Sequence, residues 1–284
     1  MLKTANKLTL WVIAGISAVL LPVRIWQLSA CIDYETGFFT SASGFGAHLL
    51  YILLGVQLVL TILLIIRDSK LANTAITCKS GDFSPNQVLL LGIFMLAGSI
   101  FCFVQLVLDF SRIDLNFIGN VLVFLAYLIT AFLLLGNKKI KPAAGIAVII
   151  LPISYTVKAG ALFMKDTVIV RISDELLLML SYVAAVLLFL AVGRFLSDSE
   201  GRHSRHKLIF FAAAAFALST VSTAVKYPMY LVGNPEATAQ MTPPSLSELG
   251  VWAVSLGILV LLYQNKQTGA VQAEASAGEE ADGE

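Results

Sequence analysis

The chain has 284 residues, 58% of them hydrophobic and 13% charged, with a net charge of +1, where an ordinary soluble domain carries about 25% charged residues. That composition excludes an architecture dominated by a large aqueous core, and the near-zero net charge excludes the global basic field of a nucleic-acid binder. Lipid is the expected solvent, and the lipid bilayer the first expected partner.

The first apolar run, Leu8 to Leu28, is long enough to cross about 30 Å of hydrocarbon at about 1.5 Å per residue. It carries Pro22, Arg24 and Gln27 near its far end. Lys3 and Lys7 followed by apolar sequence up to Leu28-Ser29-Ala30-Cys31 imitate a lipoprotein signal, but a signal core lacks such charge beside its cleavage site, so the run reads as a retained span. A loop from Ser29 to Phe45 follows, with Tyr34, Phe38 and Phe39 as expected interface anchors. The second run, Gly46 to Ile66, opens with His48.

Ser84, Pro85 and Gln87 give a helix-start signature to the third run, Gln87 to Leu108, which holds Gln105 near its end. The fourth, Phe117 to Leu135, begins around Asn120. The fifth, Ala143 to Phe163, contains Pro152 and Lys158; the sixth, Leu176 to Phe195, follows Ser173, Asp174 and Glu175. Arg202 to Lys207 form a basic cluster with His203 and His206, read as a lipid-headgroup contact because no further metal ligands accompany the histidines. The seventh run, Leu208 to Leu231, carries Lys226 and Pro228. After a loop from Val232 to Ser247, in which Ser245 and Glu248 suggest a capping box, the shorter eighth run spans Leu249 to Tyr263. The acidic tail, 264–284, cannot bury much apolar surface and is expected to be disordered.

Charge sorts by loop. Thirteen of the Lys and Arg residues, from Lys3 and Lys7 to Lys266, fall on one side, and only Arg112, Lys165 and Arg171 lie in loops on the other. The positive-inside rule then places both termini in the cytoplasm. The expected fold class is all-α: a polytopic membrane helix bundle of about eight transmembrane helices, residues 1–263 forming one transmembrane domain.

The runs pair into four out-and-back hairpins with a recurring polar depth. Lys7 and Arg24, Lys141 and Lys158, and Lys207 and Lys226 stand 17, 17 and 19 positions apart, with Gln105 in the equivalent place of the second hairpin. On the return helices His48, Asn120, Glu175 and Glu248 precede Arg67, Lys138, Arg194 and Lys266 by 19, 18, 19 and 18. Antiparallel hairpins would set Arg24 by His48, Gln105 by Asn120, Lys158 by Glu175 and Lys226 by Glu248. A charge at the centre of a membrane helix costs about 2.5–3.5 kcal/mol on insertion scales, which makes these eight residues candidates for a substrate-binding cavity. Helix-end electrostatics, about 0.3–1 kcal/mol per group, give the plainer account of the same pattern.

The chain has no phosphate-binding glycine loop, no His-Glu-x-x-His, no Gly-x-Ser-x-Gly and no intramembrane aspartate pair. No catalytic residue, metal site or cofactor is expected, and Cys31, Cys78 and Cys102 form no framework. The run Arg24-Ile25-Trp26-Gln27-Leu28, followed by Ile32-Asp33-Tyr34-Glu35-Thr36-Gly37-Phe38-Phe39, resembles a set of uncharacterised multi-spanning bacterial membrane proteins. The resemblance covers the first span and loop, implies a bacterial plasma-membrane setting, and transfers no substrate or catalytic residue. The expectation is binding or transport of a small anionic or polar solute through an outward-facing cavity. The alternative is a noncatalytic scaffold or accessory subunit, with an unidentified membrane or soluble partner, whose paired charges fix helix register.

Overall fold

A backbone in hydrocarbon must satisfy its own N–H and C=O groups, and a helix does so within one segment. The computed structural model describes residues 2–31, 44–72, 84–111, 113–136, 142–165, 172–197, 204–232 and 244–262. The apolar runs among them are helices: α1 (Leu2–Ala30), α2 (Gly44–Ala72), α3 (Pro85–Asp109), α4 (Leu115–Leu135), α5 (Pro142–Lys165), α6 (Ile172–Leu196), α7 (Ser204–Ser219), α8 (Lys226–Val232) and α9 (Leu246–Leu262). Seven stretches are long and apolar enough to cross a membrane, the seventh running from His206 to Leu231 through α7 and α8. The chain is a polytopic α-helical membrane protein. The tail, Tyr34, Phe38, Phe39, Cys78, Arg112, Arg171, Arg202 and His203 lie outside the described residues.

Helix starts follow local chemistry. Gln87 accepts a hydrogen bond from the Ser84 backbone N–H at 2.8 Å, the returning arm of the expected cap, and Asp114 caps α4 by accepting from Phe117 N at 2.7 Å. The expected box between Ser245 and Glu248 is corrected: the Glu248 carboxylate turns into the bundle, and Ser245 pairs with Ser247 Oγ at 2.8 Å.

Consecutive helices from α3 to α7 pack side by side, and α1 pairs with α2. Core side chains of α9, among them Val251, Val254 and Ile258, join those of α3 to α7 in one cluster. At 17 residues α9 spans only about 25 Å, but most of its residues are buried against other helices. Glycines let it approach: a Cβ on Gly250 would stand 3.3 Å from the Gly98 Cα of α3. The α1–α2 hairpin docks on this bundle through Leu20, Leu50, Leu54, Leu177, Ala217 and Val221. Elsewhere α2 shows an apolar exterior, with Ile52, Val59 and Leu63 exposed.

Pro22 and Pro152 lie inside uninterrupted helices. Pro228 is different. Its ring displaces the carbonyl four residues back, at Ala224, and just there the chain widens into a π turn over Thr220–Ala224, closed by Val225 N donating to Thr220 O at 3.1 Å. Hydroxyls of Ser219 and Thr220 donate to the Ala215 and Phe216 carbonyls at 2.6 and 2.7 Å. This turn separates α7 from α8 and aims Lys226.

Candidate functional site

Side chains of a membrane helix that carry charge must face the bundle or escape to an interface. Arg24, Lys158 and Lys226 do the former, with 0%, 1% and 1% of their surface exposed. Their partners come from other hairpins than those expected.

Asp174, in the first turn of α6, receives two cations. Arg24 Nη2 lies 3.2 Å from Oδ1 and Lys226 Nζ lies 2.9 Å from Oδ2. Arg24 Nη1 also donates to Gln27 Oε1, and Gln27 in turn donates to the Gly46 carbonyl of α2 at 3.1 Å. One carboxylate therefore joins α1, α6 and α8, and the guanidinium extends the network to α2. His48 is exposed and stands apart. The expected Arg24–His48 and Lys226–Glu248 pairs are replaced by this triad.

Lys158 occupies a second cluster. Its ammonium donates to Ser247 Oγ at 2.8 Å and lies over the rings of Tyr182 and Tyr155, 5.2 and 5.8 Å from their centroids. The long stem fits because Gly119 of α4 has no side chain: a Cβ there would stand 2.7 Å from Lys158 Cγ. Glu248, next to Ser247, accepts from Tyr182 OH at 2.6 Å and from Thr223 Oγ1 at 3.0 Å. Tyr182 therefore presents its face to the ammonium and its hydroxyl to the carboxylate. Glu175, expected to pair with Lys158, is half-buried, and the ammonium's hydrogen bond goes to Ser247 instead.

Gln105 and Asn120 do meet, at a shared acid. Both donate to Asp109 Oδ2, at 2.8 and 3.5 Å, and Gln105 Oε1 accepts from the Leu246 backbone N–H at 2.8 Å, capping α9. Buried Asn120 Oδ1 and Arg24 Nε have no hydrogen-bond partner among the described residues. Cys102 lies against the Ser247 carbonyl at 4.0 Å.

Beneath the polar layer Tyr155 stacks on Phe189 at 5.8 Å, Tyr127 meets Phe189 edge-on at 5.8 Å, and the Tyr127 and Tyr155 hydroxyls lie 3.4 Å apart. Trp252 stacks on Phe216 and donates to Thr220 Oγ1 at 3.1 Å, anchoring the start of the π turn. Among the described residues no group of His, Cys, Asp and Glu is arranged to hold a metal ion.

Asp174, Ser247, Tyr155, Tyr182 and Thr223 were not among the candidates. Asp174, Leu178, Ser181 and Ala185 form one stripe of α6 that is buried throughout, a grouping that the nearly all-apolar sequence of the helix does not single out. Removing a donor from Glu248 leaves a buried oxygen unsatisfied, so Tyr182→Phe is expected to lower stability by about 1–3 kcal/mol, measured by thermal unfolding in detergent.

Fold and site together define a multi-pass helical membrane protein with two buried polar clusters joined by a π turn. The chain matches no protein-family model, no curated protein and no solved structure.

Proposed function

We propose that this protein binds a small anionic or polar solute at the outer end of its bundle and carries it across a bacterial plasma membrane. The sorting of Lys and Arg supports placing the termini and the basic loops in the cytoplasm, which makes the end holding Arg24, Lys158 and Lys226 the outer one. The observation that carries the reading is Lys158: a buried ammonium held by a hydroxyl and two aromatic faces, with no carboxylate in direct contact among the described residues. An anionic group of a solute would replace Ser247 on it. Asn120 Oδ1 and, in the Asp174 cluster, Arg24 Nε have no hydrogen-bond partner among the described residues and add polar capacity, and Gln105, Lys226, Glu175 and Glu248 would border the entry. His48, being exposed, would act at the mouth.

The test is uptake of labelled phosphate, sulfate, short carboxylates and amino acids by cells expressing the chain or its Lys158→Met variant. Selective uptake of one of them, lost in the variant, is expected; equal uptake of all by cells with and without the protein would remove the proposal.

A noncatalytic scaffold or accessory subunit is the second reading, and Asp174 favours it, because one acid ties together helices from three of the four proposed hairpins. It requires strong coupling: Lys226→Met combined with Asp174→Asn should cost clearly less than the sum of the two single changes in a double-mutant cycle. Additive costs would count against it.

A further inference from the structure

Around Lys158 the acids outnumber the cations. Two carboxylates act on its ammonium, Glu248 of α9 and Asp109 at the end of α3, and the groups bonded to them among the described residues are neutral hydroxyls and amides. Arg24 and Lys226, the other buried cations of this end, are bound to Asp174. With both acids ionised, a plain anion on Lys158 would enter a cluster already richer in negative than in positive charge, where a medium of low polarity magnifies the repulsion.

The same cluster leaves acceptors open. Gln105 and Asn120 both donate to Asp109 Oδ2, and Asp109 Oδ1 meets no donor among the described residues. Asn120 Oδ1 meets none either, although that residue is 0% exposed. A buried amide oxygen calls for an N–H or O–H, and beside a carboxylate oxygen a charged N–H serves both best. Glu248 offers no such place, since Tyr182 and Thr223 already occupy its two oxygens.

Across from these acceptors lies the start of α9. Ser247 accepts from Lys158, and the Leu246 N–H reaches Gln105 Oε1 at 2.8 Å while Nε2 of the same amide donates to Asp109 at 2.8 Å. One side-chain amide thus bridges the helix start and the acid. An ammonium beside a helix N-terminus favours an anion, and the two open oxygens favour a cation a short distance away.

Resting on the solute reading above, we infer that the Lys158 site takes a short zwitterion of the amino-acid class. Its carboxylate lies on Lys158 at the start of α9, and its ammonium between Asp109 Oδ1 and Asn120 Oδ1. Such a solute adds no net charge to the cluster. Sulfate, phosphate and simple carboxylates each bring a charge that nothing there balances.

The experiment measures binding to the purified full chain in detergent from the rise of its thermal midpoint with ligand concentration. The probes are the proteinogenic amino acids and β-alanine, each beside its analogue without the amino group, together with methylammonium, sulfate and phosphate. At least one amino acid should bind about tenfold or more tightly than its des-amino carboxylate, because the contact removed is a hydrogen bond between charged groups. In Asp109→Asn that ratio should fall toward one, since the acid that attracts the ammonium and repels the lone carboxylate is gone; in Lys158→Met both should bind at least about tenfold more weakly. A carboxylate, sulfate or phosphate that binds through Lys158 as tightly as any amino acid would overturn the zwitterion and leave the solute reading standing. Stabilisation of a folded, monodisperse protein by none of the probes would remove both. Should Asp109→Asn fail to assemble, the ratio in the parent decides, and a value near one overturns the inference.

Discussion

Asp174→Leu is expected to be among the most damaging single substitutions in the chain, lowering stability by about 3–5 kcal/mol. It leaves two cations, Arg24 and Lys226, buried beside a side chain that cannot accept from either. The cost arises from the stranded charges rather than from a lost attraction, so the triple change Asp174→Leu, Arg24→Met and Lys226→Met should recover most of it. Thermal unfolding in detergent checks both, with monodispersity by gel filtration as the companion readout. A single variant as stable as the parent would mean that the cations find other acceptors.

Gly145→Val should be of similar size for a steric reason. Even a Cβ at Gly145 would stand 2.8 Å from the Gly193 carbonyl oxygen of α6 and 3.0 Å from the N of Ser197 just after it, both backbone atoms that cannot step aside. Overpacking costs about 1–3 kcal/mol and more when backbone must move. Because α5 carries Lys158 while α6 carries Asp174 and Tyr182, separating the two helices also disturbs both polar clusters. Gly160→Val on the same helix, where a Cβ would meet nothing within 4 Å, is the control and should be near neutral. Equal midpoints for the two variants would contradict the close α5–α6 crossing.

The spans were legible because their cause is local: a run of apolar residues of bilayer length has no other stable backbone arrangement. Their ends agree with the helices to within a few residues; the fifth, expected from Ala143 to Phe163, appears as Ala143–Met164. Arg24, Lys158 and Lys226 were legible as well, since a cation inside an apolar run is conspicuous. Their partners were not. Pairing each cation with the acid on its own return helix assumes that the nearest neighbour in sequence is the nearest in space. The Asp174 triad draws instead on the first, third and fourth of the expected hairpins.

Hydrophobic pattern is a poor guide to such packing, because lipid and core are equally apolar. Helix α6 is apolar nearly all round, so sequence left Asp174 and Glu175 equivalent, although about 100° separates them on the helix and only Asp174 points at the triad. Gln105 and Asn120 were correctly brought together because few residues separate α3 from α4 in the chain, yet the acid they share, Asp109, lies just past the end of the third apolar run. The π turn left a trace in Pro228, but Pro22 and Pro152 carry the same trace without one.

The measurement closest to the central proposal places a cysteine at Lys158 in a chain without its native cysteines and exposes intact cells to a membrane-impermeant thiol reagent. The proposal predicts labelling from outside, because a solute reaching Lys158 must pass between the outer ends of α5, α6 and α9. Labelling that occurs only after the protein is unfolded, with the folded protein present in the membrane, would contradict a solute path and leave the buried charges as joints of a scaffold.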